Sequence, residues 1–402
     1  MKLTSIHLRN IKCFEDFVLD LTDEDGNPLS VCVLVGANGS GKTTILKSVV
    51  STFSIANREY QGDIFDKDVL RTGENVSSVD ITFSLNEKEK QALSNYKIYN
   101  SIASEYDAVE FDSDIYESTE YDTETDIMDE ESDIYGLGYF VDDSYDKDFR
   151  MGLAVPYNLE IETDLINGEE VNELTKDYAK YIYRLNRLNS NLIVYFDSFR
   201  YMTLKNPISP NFSDTIKKSK VASLSSSIGK DGILSPRYFD IKQWFFNLDF
   251  VLLKKSNEHA AKVYTHFITA CNQLFGPLQF DEISEFGEIM FKDIKTNNVF
   301  TLNMLSDGFK SIFIIIAELL HRLSLAYDPK RDGDIEFYEN EAVVLIDEID
   351  CHLHPRWQVN VLPALKNLFP NCQFIVTTHS PYILKKINEN SIKRIGEDPF
   401  VK

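Results

Sequence analysis

The sequence predicts an α/β fold with a mainly parallel sheet, on three observations. Residues 31–35 form an uninterrupted apolar run, Val-Cys-Val-Leu-Val, and similar runs recur at 342–346 and 373–377. Strands covered on both faces read this way, because neither face meets water. The runs at 31–35 and 342–346 give way to helix-period sequence at 45–53 and 355–369, and a glycine-rich loop fills the first of those junctions.

Length and composition bound the rest. A chain of 402 residues fits one large α/β domain with insertions or two to three units. A hydrophobic share of 43% with 12% aromatic supports a sizeable core and excludes wholesale disorder. The formal charge of −23 is unevenly placed: residues 101–150 carry eighteen acids against Lys147 and Arg150, a net of −16, which leaves −7 elsewhere. That remainder is ordinary, so a local nucleic-acid-binding face is not excluded. Cys13, Cys32, Cys271, Cys351 and Cys372 are scattered, odd in number and without C-x-x-C spacing. They suggest neither a disulfide framework nor a zinc site, and they point to a reducing compartment. No stretch approaches the roughly 18 apolar residues of a membrane span, and the start lacks a signal-peptide core. The reading is cytoplasmic, with no membrane partner.

Taken in order, Leu3, Ile6 and Leu8 alternate with Lys2, His7 and Arg9 and predict a first strand. Residues 17–21 predict a second, before Asp25, Gly26, Asn27 and Pro28 turn the chain. After the run at 31–35 and the helix at 45–53 come a strand at 79–85 and a short helix at 87–95. Residues 101–150 read as a solvated loop insertion; the sharper alternative is a strip that docks a basic partner or masks a basic groove. Between 151 and 300 a helix at 172–188, a strand at 192–196, a Ser/Lys-rich loop at 213–230 and a helix at 254–275 are expected. Ala261, Val263, Phe267, Ile268 and Cys271 keep one face of that last helix. Short strands at 278–283, 289–292 and 299–302 lead to a helix at 307–325. The organisation is thus an N-terminal half-domain at 1–90, an acidic insertion at 91–150, a mixed insertion at 151–300 and a returning half-domain at 301–402.

Gly36, Ala37, Asn38, Gly39, Ser40, Gly41, Lys42, Thr43 and Thr44 fit G-x-x-x-x-G-K-[ST], after a buried strand and before a helix, where a phosphate-binding loop must stand. Glycines let successive backbone N–H groups turn inward on phosphate, and the helix N-terminus adds positive potential. Lys42 is expected on the β- and γ-phosphates and Thr43 on Mg²⁺, while Thr44 also reads as a helix-start residue. The run at 342–346 ends in Asp347 and Glu348. A carboxylate at a buried strand end is costly without a cation. Asp347 is therefore expected to bind Mg²⁺ through water, and Glu348 to polarise the attacking water. Leu305, Ser306, Asp307 and Gly308 precede an apolar helix, as either an anion site or a plain N-cap. His379 follows the last apolar run and is either structural or a hydrogen-bonding sensor of a γ-phosphate.

In this order the four motifs resemble the Walker A, signature, Walker B and switch-histidine motifs of the ABC ATPases, the last as Thr378-His379-Ser380. The start, Leu8-Arg9-Asn10-Ile11-Lys12-Cys13-Phe14, is similar to the RecF/SMC/OLD branch rather than to transporters. The stretch from Asp347 to Gln358, Asp-Glu-Ile-Asp-Cys-His-Leu-His-Pro-Arg-Trp-Gln, is similar to the stand-alone AAA-type ATPases of bacterial defence modules, notably PtuA of Septu systems and retron-associated ATPases. The resemblance covers roughly 1–85 and 300–390.

It implies an α/β P-loop NTPase, an ABC-type ATPase head split by a long mixed α/β insertion, that takes ATP and Mg²⁺. It implies head-to-head dimers or larger assemblies in which Ser306 and Gly308 of one copy meet ATP on the Lys42 of another. Lys42, Glu348 and His379 then carry the chemistry. The implied function is a slow regulatory or sensor ATPase that controls a separate effector nuclease of HNH type in anti-phage defence, with nucleic acid a further candidate partner. A RecF-like DNA-repair clamp and a non-hydrolysing ATP-gated scaffold are the alternatives. The sequence departs from the Leu-Ser-Gly-Gly-Gln signature at Asp307 and Phe309, and an acid near a γ-phosphate argues against fast hydrolysis. His354 stands where transporters carry a dimer-contact aspartate, and Gln61 is the match to the family's Q-loop glutamine. Arg200, after a strand, is a candidate for binding nucleotide or nucleic acid, or for a surface ion pair. Asp350, His352 and His354 are better explained as loop and dimer contacts than as a metal cluster. Only 23 residues follow His379, so no nuclease domain of the OLD kind is expected, and cleavage would fall to a separate partner.

Overall fold

The computed structural model describes residues 1–55, 71–72, 76–84, 86, 134–142, 150–154, 192–200, 241–254, 258–327 and 335–396. The helices expected at 87–95 and 172–188, the loop at 213–230, Gln61 and most of the acidic stretch lie outside the described residues.

Strands β1 (Lys2–Ile11) and β2 (Phe14–Asp20) form an antiparallel hairpin with Leu8 opposite Phe17. Strand β3 (Val31–Val35) leads into helix α1 (Lys42–Ile55). Strand β4 (Val76–Ser84) pairs with β1, and β5 (Ile134–Asp142) and β6 (Arg150–Ala154) extend the sheet in the order β2-β1-β4-β5-β6. The end of the acidic stretch therefore contributes strand. Next come β7 (Ile193–Phe196), α2 (Ile241–Leu253) and α3 (Glu258–Phe275). A meander of β8 (Leu278–Ile283), β9 (Ile289–Asp293) and β10 (Val299–Thr301) precedes α4 (Asp307–Ala326). The chain then runs through β11 (Val343–Ile346), α5 (Pro355–Gln358), α6 (Val361–Leu368), β12 (Gln373–Thr377), α7 (Pro381–Leu384) and β13 (Ile392–Arg394).

The apolar runs find their reason in the second sheet, ordered β13-β3-β12-β11-β7, in which every neighbouring pair is parallel. Successive side chains alternate between two cores. On one face Cys32, Leu34, Tyr195, Val343, Leu345 and Ile375 pack with Ile45, Leu46, Val49 and Val50 of α1 and with the inner side of β1 and β4. On the other, Val33, Val194, Phe196, Val344, Ile346, Phe374 and Val376 pack against α2, α3, α4 and α6. Strand β7, which lies within the 151–300 stretch, is thus the outermost strand of this parallel sheet among the described residues.

Besides their shared core, the two sheets are tied by the buried side chain of Gln373. Gln373, at the start of β12, accepts from the Leu3 N–H at 2.7 Å and donates to the Leu3 and Leu29 carbonyls at 2.8 and 3.0 Å. Helix α4 is covered almost all round, and its buried Arg322 and Glu318 pair one turn apart.

Several element boundaries differ from expectation for identifiable reasons. The helix expected at 254–275 spans Glu258–Phe275, and Lys254 instead closes the last turn of α2, its N–H bonded to the Phe250 carbonyl at 3.2 Å. Helix α2 is additional, and its Ile241, Trp244 and Phe245 show the three- and four-residue spacing that marks it. The helix expected at 355–369 is two helices. Inside one continuous helix Pro363 would have no N–H for the Val359 carbonyl and its ring would clash there; in the first turn of α6 that N–H needs no partner, so the break falls just before it. Strand β13 is too short for a periodic signal. No helix among the described residues is long and apolar enough to cross a membrane.

Candidate functional site

Because all five strands of the parallel sheet point the same way, their carboxyl ends open on one edge, the usual ligand edge of an open α/β sheet. Strand β3 delivers Gly36 to Thr44 there, β11 delivers Asp347 and Glu348, β12 delivers Thr378 to Ser380, and β7 delivers Asp197 to Arg200.

The loop after β3 has the geometry of a phosphate cradle. Gly39 and Gly41 lie at φ 80° and 95°, where side-chain-bearing residues are strained. A Cβ on Gly36 would come within 2.2 Å of the Ile395 carbonyl, and one on Gly41 within 2.4 Å of the Phe14 ring. The β1–β2 hairpin and the segment after β13 therefore press on the loop from two sides. Asn38 and Gly39 are exposed at its outer turn, and Thr44 sits in the first turn of α1, its carbonyl accepting from Ser48. Lys42 is buried, and its ammonium bonds the Gly36 and Ala37 carbonyls, each at 2.9 Å. Burial pushes its pKa down, while the carboxylates of Asp347, Glu348 and Asp350 oppose the shift. The Ser40 hydroxyl is buried and has no hydrogen-bond partner among the described residues. An orphaned hydroxyl in a glycine loop at a helix start suits a site for a phosphate.

Asp347 meets this loop. Its carboxylate accepts from Thr43 Oγ1 at 2.8 and 3.1 Å and from Thr377 Oγ1 at 2.6 Å. The Thr377 hydroxyl also accepts from the Glu348 N–H at 2.7 Å. One hydroxyl and one carboxylate beside a phosphate loop form a donor set suited to Mg²⁺, which needs few protein ligands when phosphate oxygens and water complete its shell. Glu348 lies at φ 46° and is partly exposed.

The loop after β12 is pinned on both sides of His379. Thr378 donates to Asp350 and accepts from the Ser380 N–H at 3.0 Å, and Ser380 donates to Gln358 at 2.6 Å. The His379 ring between them is exposed. His352 and His354 are exposed as well, and the His354 ring caps α5.

Ser306 and Gly308 lie at the start of α4 rather than at the end of a strand of the parallel sheet. Ser306 is its N-cap, accepting from the Phe309 N–H at 3.4 Å. Ser306 and Asp307 are exposed, and Asp307 lies 3.6 Å from Lys310. Gly308 is buried where a Cβ would come within 2.3 Å of the His352 carbonyl, so the start of α4 rests on the loop that follows Glu348.

Two residues gain a role that the sequence did not disclose. Thr377 joins Asp347 to Glu348, and its signal was a hydroxyl at the end of a fully buried strand, which must find a partner. Arg200 is held inside the protein by backbone carbonyls and a hydroxyl. It is buried, and its guanidinium donates to the Asp197, Asp347 and Glu348 carbonyls and to Ser311 Oγ.

The model of the AAA ATPase domain family matches residues 1–384 of this sequence. The chain belongs to that family. A relative within reach of the whole chain is the retron Ec83 probable ATPase of Escherichia coli, 26% identical over 98% of this chain and 71% of that protein. The Septu protein PtuA of Bacillus thuringiensis is 31% identical over 42% of each chain. Among solved structures, an SMC head bound to the C-winged helix domain of ScpA aligns over 96% of this chain and 92% of that one, with a TM-score of 0.47 at 13% identity. This AAA ATPase is thus a nucleotide-binding protein related to retron and Septu ATPases, as its motifs implied.

Proposed function

We propose that this protein hydrolyses ATP slowly and uses the nucleotide to control a separate effector, an HNH-type nuclease in anti-phage defence. The observation that carries the reading is the Thr43–Asp347 contact beside the cradle and Lys42, since it joins the two halves of a phosphoryl-transfer site from opposite ends of the chain. Lys42 holds β- and γ-phosphate oxygens in place of the Gly36 and Ala37 carbonyls. Thr43 and Asp347 hold Mg²⁺, which supplies charge neutralisation at the phosphates. Glu348 accepts the proton of the attacking water, and His379, exposed between anchored neighbours, hydrogen-bonds the γ-phosphate. Ser306, with the backbone around Gly308, completes the site of a second copy, giving head-to-head dimers or larger assemblies.

The effector part of the reading draws on the names of the relatives, one assigned to a retron and one to a Septu system. A second reading, a non-hydrolysing scaffold that ATP holds closed, is favoured by Asp307, whose exposed carboxylate at the start of α4 would repel a γ-phosphate. One experiment separates them. Wild type should release phosphate in a Mg²⁺-dependent way, and Glu348→Gln should keep ATP bound, lose turnover by about 10²-fold or more and persist as the assembled form on sizing. Equal turnover in both proteins would overturn the hydrolytic reading. Co-purification of a nuclease encoded in a neighbouring reading frame tests the effector.

A further inference from the structure

We infer that Arg200 is a positioning residue that fixes the Asp347-Glu348 turn and ties it mechanically to the start of helix α4. The inference rests on the reading of Glu348 as the group that polarises water.

Arg200 is 8% exposed, too buried for a group whose task is to meet solvent anions. Its Nη1 donates to the Asp197 and Asp347 carbonyls at 2.6 and 2.7 Å, its Nη2 to the Glu348 carbonyl at 2.9 Å, and its Nε to Ser311 Oγ at 2.7 Å. These four acceptors are neutral and belong to three separate elements. Only a planar guanidinium presents so many donors in one rigid fork.

The turn it grips needs such a grip. Glu348 is held at φ 46°, a sparsely populated region for a residue with a side chain, and such a conformation persists only where the surroundings over-determine it. Thr377, at the end of β12, binds the Glu348 N–H at 2.7 Å, and Arg200, just beyond β7, binds its C=O. Strands β12 and β7 are the two neighbours of β11. Both backbone polar groups of residue 348 are thus clamped by side chains from the flanking strands, and the freedom left to Glu348 is in its carboxylate arm.

The fourth bond gives the clamp a second function. Ser311 lies five residues after Ser306, a little over one helical turn into α4. A displacement of the α4 N-terminus, such as a nucleotide on a second copy would cause at Ser306, pulls on the same rigid group that sets Glu348. Arg200 therefore makes the position of the water-polarising carboxylate depend on the placement of α4.

The test compares Arg200→Lys, Arg200→Ala and Ser311→Ala with wild type and with Glu348→Gln. Four measurements are made: equilibrium ATP affinity, phosphate release, thermal midpoint, and amide exchange of residues 306–312 and 346–350 with and without ATP. For Arg200→Ala, ATP affinity should stay within about threefold while turnover falls about 10²-fold, the scale of a misplaced catalytic group. Arg200→Lys, which can still reach one or two carbonyls, should recover about tenfold of that loss. Adding Arg200→Ala to Glu348→Gln should lower turnover no further. Exchange at Glu348 should rise in Arg200→Ala, and the ATP-induced protection of 306–312 should disappear in both Arg200→Ala and Ser311→Ala. Wild-type turnover in Arg200→Ala overturns the inference. So does a loss in which affinity, midpoint and turnover fall together in the alanine and lysine variants alike, since that marks a merely structural residue. If wild type shows no turnover, or Glu348→Gln matches it, the hydrolytic reading is what fails. The exchange data then decide alone, and unchanged exchange at 346–350 in Arg200→Ala removes the clamp.

Discussion

Thr43 and Asp347, 304 positions apart in the chain, meet at 2.8 Å where the first turn of α1 faces the end of β11. An asparagine at 347 could still accept from Thr43 and Thr377, so the fold should tolerate Asp347→Asn, but it brings no charge for a cation. Wild type should bind ATP more tightly with Mg²⁺ than with EDTA by at least about tenfold, whereas Asp347→Asn should bind equally in both. A tenfold gap is about 1.4 kcal/mol and is easily read by titration. A variant that keeps the full Mg²⁺ effect would remove Asp347 from the metal site.

Gly41 and Gly39 make a matched pair. Both have positive φ, but a Cβ at Gly39 points into open space while one at Gly41 drives into Phe14 and Cys13. Gly39→Ala carries only the backbone penalty of about 1–2 kcal/mol. Gly41→Ala must also move the hairpin or the loop. ATP affinity and thermal midpoint should therefore drop further in Gly41→Ala, and equal effects would show that the hairpin does not brace the loop.

Gln373→Leu replaces a side chain that satisfies three backbone groups between the two sheets. Each buried group left without a partner costs about 1–3 kcal/mol, so a loss of at least about 3 kcal/mol is expected in urea unfolding. A loss below about 1 kcal/mol would mean that water or a backbone shift replaces the amide.

His321 offers a pH test. Burial, and next the charge of Arg322, push its pKa down to about 3. A histidine kept neutral by the fold contributes stability that is complete above its ordinary pKa near 6.5. That contribution is lost as pH falls from there toward 3, because only the unfolded chain gains the proton. The slope per group is at most about 1.4 kcal/mol per pH unit. Between pH 7.5 and 5.5 wild type should lose about 1 kcal/mol more than His321→Phe. Equal losses would show that His321 protonates freely in the folded state.

Much of the fold was legible because burial on both faces leaves a mark on composition. Strands β3, β11 and β12 are runs of apolar residues for the reason seen in the two cores. The glycine loop was legible because its backbone conformation admits few other residues, as Gly41 and Gly36 demonstrate. The clamp on Glu348 was not legible. Its acceptors at Asp197, Asp347 and Glu348 are backbone carbonyls, identical at every position, so nothing in the sequence around Arg200 tells a clamp from a surface charge. Pro363 did carry the break between α5 and α6, but the apolar spacing across 355–369 outweighed it. Asp307 and Ser306 were open to two readings, and the N-cap geometry fits the plainer one while leaving both residues exposed.

The strand order also bears on synthesis at the ribosome. Strand β3, which leads into the glycine loop, has β12 and β13 as its two neighbours, and the hydrogen bond from Gln373 to Leu29 spans 344 positions. At a translation rate of about 5–20 residues per second, the loop emerges roughly 20–70 s before the strands that flank it. Until then Gly36 has no Ile395 carbonyl against it and Thr43 no Asp347 to bond. A nascent or truncated chain therefore holds the loop sequence without these contacts, which form only when nearly all of these residues have been made.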